Sequence, residues 1–123
     1  MAKKKTNSEI LAEKVVKGIQ SKKGKNILTL DLRKIDNAVA DFFIICHGTS
    51  RTQVDAICYG VLETVDKALD MDPWHKEGME NAEWILLDYV DVVVHIFESS
   101  RRDFYKLESL WADAEVTAIK DIE

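Results

Sequence analysis

Three groups of residues have types and spacings that could carry chemistry. Gly48-Thr49-Ser50 stands between an apolar run and a helical stripe, where backbone N–H groups can meet an anion. Nucleotidyl transfer needs such a small-residue turn, followed by two carboxylates that hold Mg²⁺ against a triphosphate. No Asp-x-Asp follows closely. Asp88 and Asp91 come 40 residues or more after Gly48 and flank a turn, across which they could meet. The Walker-type and GxGxxG phosphate signatures are missing. Cys46, His47 and Asp41 form the second group, a possible nucleophile and base. Neighbours on a strand point to opposite faces, so Cys46 and His47 cannot readily pair, and Cys46 reads as a small buried residue. The third is His95, between Val94 and Ile96, with no second His at ligand spacing. It reads as a hydrogen-bonded structural histidine rather than a metal ligand. No complete catalytic site, metal site or cofactor is expected.

The elements that would position these groups follow from periodicity. Thr6 and Glu9 fit a capping box, and Leu11, Val15, Gly18 and Ile19 make the stripe of a first helix. Lys22-Lys23-Gly24 reads as its stop, with Gly24 in the left-handed position. Ile27–Leu32 alternates as a strand, and Phe42–Cys46 is a continuous apolar run, as in a strand buried on both faces. Arg33 to Asp41 is a loop. Ser50 and Gln53 suggest a second capping box, ahead of Val54, Ile57, Cys58, Val61, Leu62, Val65, Ala68 and Leu69 at helical spacing. Asp72-Pro73 ends that segment. Trp74 to Glu83 is polar, acidic and without a period. Trp84–Asp88 and Asp91–Phe97 read as a hairpin turning at Tyr89-Val90. A third capping box, Ser100 and Asp103, introduces a helix with Phe104, Leu107, Leu110 and Trp111. The order αββα–loop–ββα predicts one α/β domain, a mixed sheet with helices against it. Its bounds are residues 9–112, between a flexible basic N-terminus at 1–8 and a fraying acidic tail at 113–123.

The hairpin carries the most functional information. Residues opposite each other in an antiparallel pair share a face. A turn at Tyr89-Val90 would pair Asp88 with Asp91, Leu86 with Val93 and Trp84 with His95. One face is then Ile85, Leu87, Val92, Val94 and Ile96, all aliphatic and suited to the core. The other mixes Trp84, Leu86, Val93, His95 and Phe97 with Asp88 and Asp91. A face covered by a helix should not hold two facing acids, and a solvated face should not hold Trp, Leu and Phe together. A docking partner resolves both, since an aromatic anchor rimmed by charge is common at interfaces. In the alternative, Trp84 plugs the core while the acids sit at the sheet edge.

The chain has 123 residues and formal net charge −5, distributed unevenly. Residues 1–34 hold ten bases and three acids, whereas 35–123 hold seven bases and nineteen acids. Between Asp70 and Asp91 there are seven acids and one base, Lys76. Such a surface repels a phosphate backbone and attracts a basic partner, which argues against sequence-specific nucleic-acid binding; the plainer alternative is a solvated acidic face that keeps the protein soluble. Two Cys exclude a disulfide framework and fit a reducing compartment. No apolar run is long enough for a membrane span. A cytoplasmic domain is expected.

These segments resemble the Iojap-like family, the ribosomal silencing factors, over about residues 9–112. The resemblance rests on Asp41-Phe42-Phe43-Ile44-Ile45-Cys46 with Gly48-Thr49-Ser50, on Glu77-Gly78, and on Trp84-Ile85-Leu86-Leu87-Asp88-Tyr89. Asp91–Phe97, Arg102 and Tyr105–Trp111 complete it. Val90 departs, because the family usually has Gly there. A β-branched residue disfavours positive φ, so a turn of another type is expected. The resemblance implies a nucleotidyltransferase-like fold without catalytic carboxylates, and homodimers. It also implies binding to ribosomal protein fourteen of the large subunit, which blocks small-subunit joining and represses translation. By carry-over the partner-binding residues are Trp84, Asp88, Tyr89 and Glu77, and the charge pattern adds Asp91. The other readings are a nucleotide-binding or residual nucleotidyltransferase protein, and a large-subunit assembly factor.

Overall fold

The computed structural model describes residues 5–100 and 114–121. Helix α1 spans Asn7–Ser21, with Thr6 and Glu9 closing a full capping box. The helix therefore takes in residues 7 and 8, with Ser8 buried, ahead of the boundary expected at residue 9. At its end Lys23, not Gly24, takes the left-handed conformation, at φ 59°. Gly24 is needed for space instead: a Cβ there would lie 2.3 Å from Ile19 Cγ2.

Strands β1 (Lys25–Asp31) and β2 (Phe42–Gly48) form an antiparallel pair. Helix α2 (Arg51–Leu69) follows, and Asp70 at φ 54° ends it before Pro73 is reached. Strands β3 (His75–Glu77), β4 (Trp84–Asp88), β5 (Val92–Glu98) and β6 (Glu115–Ile119) complete one sheet in the order β3-β4-β5-β2-β1-β6. Among the described residues only β2 and β5 pair in parallel. This is the expected single α/β domain with a mixed sheet. The tail expected to fray instead supplies β6, which pairs with β1 from Ile27↔Ile119 to Asp31↔Glu115. The aperiodic Trp74–Glu83 segment supplies β3. The helix expected from Ser100, Asp103, Phe104, Leu107, Leu110 and Trp111 falls mainly outside the described residues.

Both helices cover one sheet face. Val15, Ile19, Val54, Ile57, Val61 and Val65 are buried against Ile44, Ile85, Leu87, Val94 and Ile96. Losing one of the buried Ile or Leu side chains to Ala costs ~2–5 kcal/mol. The helices cross at Gly18 and Gly60, where a Cβ on Gly18 would come within 2.7 Å of Val61 Cα. The second face buries Leu30, Leu32, Phe43, Ile45, Val93 and Phe97. Arg33 pins the loop after β1: its guanidinium donates to Asp31 and to Glu9 of α1, and lies over the Phe42 ring. These bonds hold the Asp31 carboxyl below its usual range.

Candidate functional site

The Gly48-Thr49-Ser50 turn lies where expected, but its polar groups are largely occupied from within. Ser50 Oγ accepts the Gln53 N–H at 3.1 Å. The second half of the expected capping box is not made. Gln53 Oε1 accepts the Thr49 N–H and hydroxyl at 2.7 and 3.0 Å, while its Nε2 donates to the Lys23 carbonyl at 3.1 Å. Gln53 thereby ties the α2 start to the α1 end. Cys46 is fully buried on the helix side, whereas His47 lines a cleft with Asn26 and Ser99. Burial pushes the Cys58 thiol up to about 11. Among the described residues no three His, Cys, Asp or Glu side chains come close enough to hold a metal ion.

Asp88 and Asp91 do not meet. The hairpin register is Trp84↔Phe97, Leu86↔His95 and Asp88↔Val93, two residues away from the expected pairing. Tyr89 N–H donates to the Val92 carbonyl at 2.9 Å, so the tip is Val90-Asp91. The Asp91 N–H reaches back to the Tyr89 carbonyl at 3.0 Å around Val90, the hydrogen bond of a γ-turn. Val90 has φ 75°, so the departure from Gly does not move this residue out of the positive-φ region. Asp88 Oδ1 supports the tip by accepting the Val90 N–H at 2.8 Å.

A two-residue slip leaves every side chain on its original face, because strand side chains repeat with period two. Trp84, Leu86 and Asp88 therefore share the second face with Val93, His95 and Phe97. Strand β3 adds Glu77 opposite Leu86 and His75 opposite Asp88, with His75 Nε2 2.8 Å from Glu77 Oε1. Cover over this face is uneven. Along β5 it is sealed: Val93, His95 and Phe97 are buried. Along β4 Trp84, Leu86 and Asp88 are half-buried, and along β3 His75 and Glu77 are exposed. Trp84 stacks on Phe97 with ring centroids 5.2 Å apart, and its Nε1 donates to His95 Nδ1 at 3.1 Å. It is thus held by the core while remaining partly exposed. His95 must carry its proton on Nε2 to accept at Nδ1. Burial lowers its pKa to about 4, and Asp88 partly opposes that shift.

The remaining sequence-expected contact residues divide. Asp91 is exposed at the tip, and its carbonyl accepts N–H groups of Asp41 and Phe42. Tyr89 faces the helices and is 4% exposed, with burial pushing its phenol up. Trp74, at 77% exposure, lies in the aperiodic Trp74–Glu83 segment, which the sequence offers only as a fallback contact surface. The only signal was an aromatic residue set among acids.

The sheet order, the helix pair on one face and the half-open second face define the class: a small single-domain α/β protein built on a six-stranded mixed sheet. A crystal structure of a Chromobacterium violaceum protein shares it, with a TM-score of 0.81 and 32% identity, over 87% of this chain and 88% of that one. The chain belongs to the ribosomal silencing factor family: the model described as "Ribosomal silencing factor during starvation" matches residues 4–123. It is 38% identical to ribosomal silencing factor RsfS of Halalkalibacterium halodurans, over 95% of this chain and 97% of that protein. It is 43% identical to the Bacillus subtilis RsfS, over 76% and 77%. A more distant relative in mouse, at 30% identity over 58% of this chain and 32% of its own length, is named for mitochondrial assembly of the ribosomal large subunit.

Proposed function

We propose that this protein represses translation by steric occlusion. In the cytoplasm it docks on the large ribosomal subunit through ribosomal protein fourteen and keeps the small subunit from joining. It acts as a binding protein rather than an enzyme, and as a two-fold dimer. The observation that carries this reading is the uneven cover of the second sheet face. Trp84 and Leu86 stay half open beside Asp88 and Glu77, an apolar centre with an acidic rim suited to a basic protein surface. Tyr89, being buried, supports the hairpin tip in this reading rather than touching the partner. A standard interface takes ~800 Å² from each partner, about a tenth of the 7493 Å² this chain exposes. The family membership supports the ribosome as the place of action. The mouse relative's name favours a second reading, a role in large-subunit assembly.

The test is co-sedimentation with purified large subunits, with and without small subunits. Binding to large subunits that excludes small subunits is expected. Equal recovery of joined subunits in its presence and absence would refute the occlusion reading. Saturable binding of Mg²⁺ with ATP or CTP would instead favour a nucleotide-binding protein.

A further inference from the structure

Six large apolar side chains are exposed among the described residues, and four of them, Val39, Met71, Trp74 and Val90, belong to segments meeting at the β4–β5 tip. Trp74 N–H donates to the Asp88 carbonyl at 2.7 Å, and Val90 N–H to Asp88 Oδ1, so both neighbours are fixed on one residue. Met71 and Asp91 line a shared cleft of about 320 Å³ with Ile10 and Leu69. The loop carrying Val39 is tied to the tip by the Asp41 N–H to the Asp91 carbonyl. Asp70, Asp72, Asp88 and Asp91 surround these groups in the sequence.

Val90 adds a separate argument. It is 57% exposed and has φ 75°, where a β-branched residue is strained and glycine is not. An exposed side chain returns little to the fold for that strain. Strained residues kept in this way cluster at functional sites.

We infer that the hairpin tip with Trp74 is a second apolar contact, taken by a basic protein surface. It is continuous through Asp88 with the Trp84 face, so one partner covers both. The inference rests on the docking reading above and names residues which that reading does not use: Trp74 and Val90 as knobs, Met71 as the cleft wall. The rim's sign selects the partner, since an acidic border repels nucleic acid and favours Lys- and Arg-rich protein.

The experiment compares Trp74→Ala, Val90→Gly and Glu77→Lys with the unmodified protein in large-subunit co-sedimentation, thermal melting and sedimentation equilibrium. Trp74→Ala should weaken binding at least ten-fold with an unchanged melt, as for an exposed anchor. Val90→Gly should raise the melting temperature by about 3 °C or more, through relief of strain, yet weaken binding about three-fold. Opposite signs in those two measurements cannot come from a purely structural role. Wild-type binding by both variants, with loss in Glu77→Lys, overturns the inference and leaves the docking reading standing. Failure of the unmodified protein to bind large subunits overturns both. A Trp74→Ala protein that turns monomeric while binding subunits normally also overturns it, assigning the patch to a second copy.

Discussion

Lowering the pH from 7 to 5 should destabilise the protein through His95. The ring is 4% exposed, and its Nδ1 is committed to the Trp84 indole. Its pKa is lowered from 6.5 to about 4. In that interval the unfolded chain binds a proton that the folded chain refuses, so stability rises with pH and falls as acid is added. With those two values the loss between pH 7 and pH 5 is ~2 kcal/mol, approaching ~3 kcal/mol at pH 4. Carboxylates of the unfolded chain also begin to take up protons toward the acid end of this range, while Asp31 held by Arg33 stays ionised, so a reference is needed that shares them. His95→Gln is uncharged throughout and offers a carbonyl to the indole. Urea unfolding of both proteins at pH 7, 6 and 5, followed by tryptophan fluorescence, gives the difference. The wild type should lose ~2 kcal/mol more than the variant over this range. Parallel curves, or a wild type that gains on the variant at pH 5, would refute the assignment of a buried neutral imidazole.

Three further outcomes follow from the geometry. Glu77→Lys with Asp91→Lys reverses two exposed charges and should weaken large-subunit binding at least ten-fold, most at low salt, with stability unchanged within ~0.5 kcal/mol; filter binding across a salt series checks it. Gly18→Ala should cost ~1–3 kcal/mol in urea unfolding, because its methyl would meet Val61 Cα at 2.7 Å and the Gly60 carbonyl at 2.8 Å, both backbone atoms. Trp84→Phe keeps a ring to stack on Phe97 but strands His95 Nδ1, and should cost ~1–3 kcal/mol by the same assay.

The elements with their own periodic signal were legible in the sequence. Thr6 and Glu9 marked the start of α1, and the Val54–Leu69 stripe marked α2. The apolar run at Phe42–Cys46 marked a strand that lies between two neighbours. The hairpin face was legible although its register was not. Nothing in Tyr89-Val90-Asp91-Val92 names a turn type, so the sequence leaves the register open by two residues, while period two preserves the face. Strands β3 and β6 were not legible. Both are short edge strands, and their conformation is decided by β4 and β1 rather than by a pattern of their own. The tip conformation is illegible for a related reason. Asp88 Oδ1 and the Val92 carbonyl hold Val90 where its own preference would not put it. Of the site, Trp84, Leu86 and Asp88 could be placed on one face from the sequence, whereas Glu77 entered only through the family resemblance. Trp74 could not, because its exposure is a property of the assembled sheet.

The pairing of β6 with β1 has a consequence for how the chain is made. Asp31 and Glu115 are partners 84 positions apart, and Ile27 and Ile119 are 92 apart. The β1–β2 hairpin and the α1–α2 pair involve nearer neighbours and can assemble while synthesis continues. Throughout that interval β1 presents an unpaired row of N–H and C=O groups, the kind of edge that templates aggregation. The strand that closes it emerges only after β5 has been laid down. Vectorial synthesis thus builds this sheet from its interior outward on one side and leaves the β1 seam open until late, so a chain that has emerged only as far as Glu98 would hold its other five strands with one adhesive border.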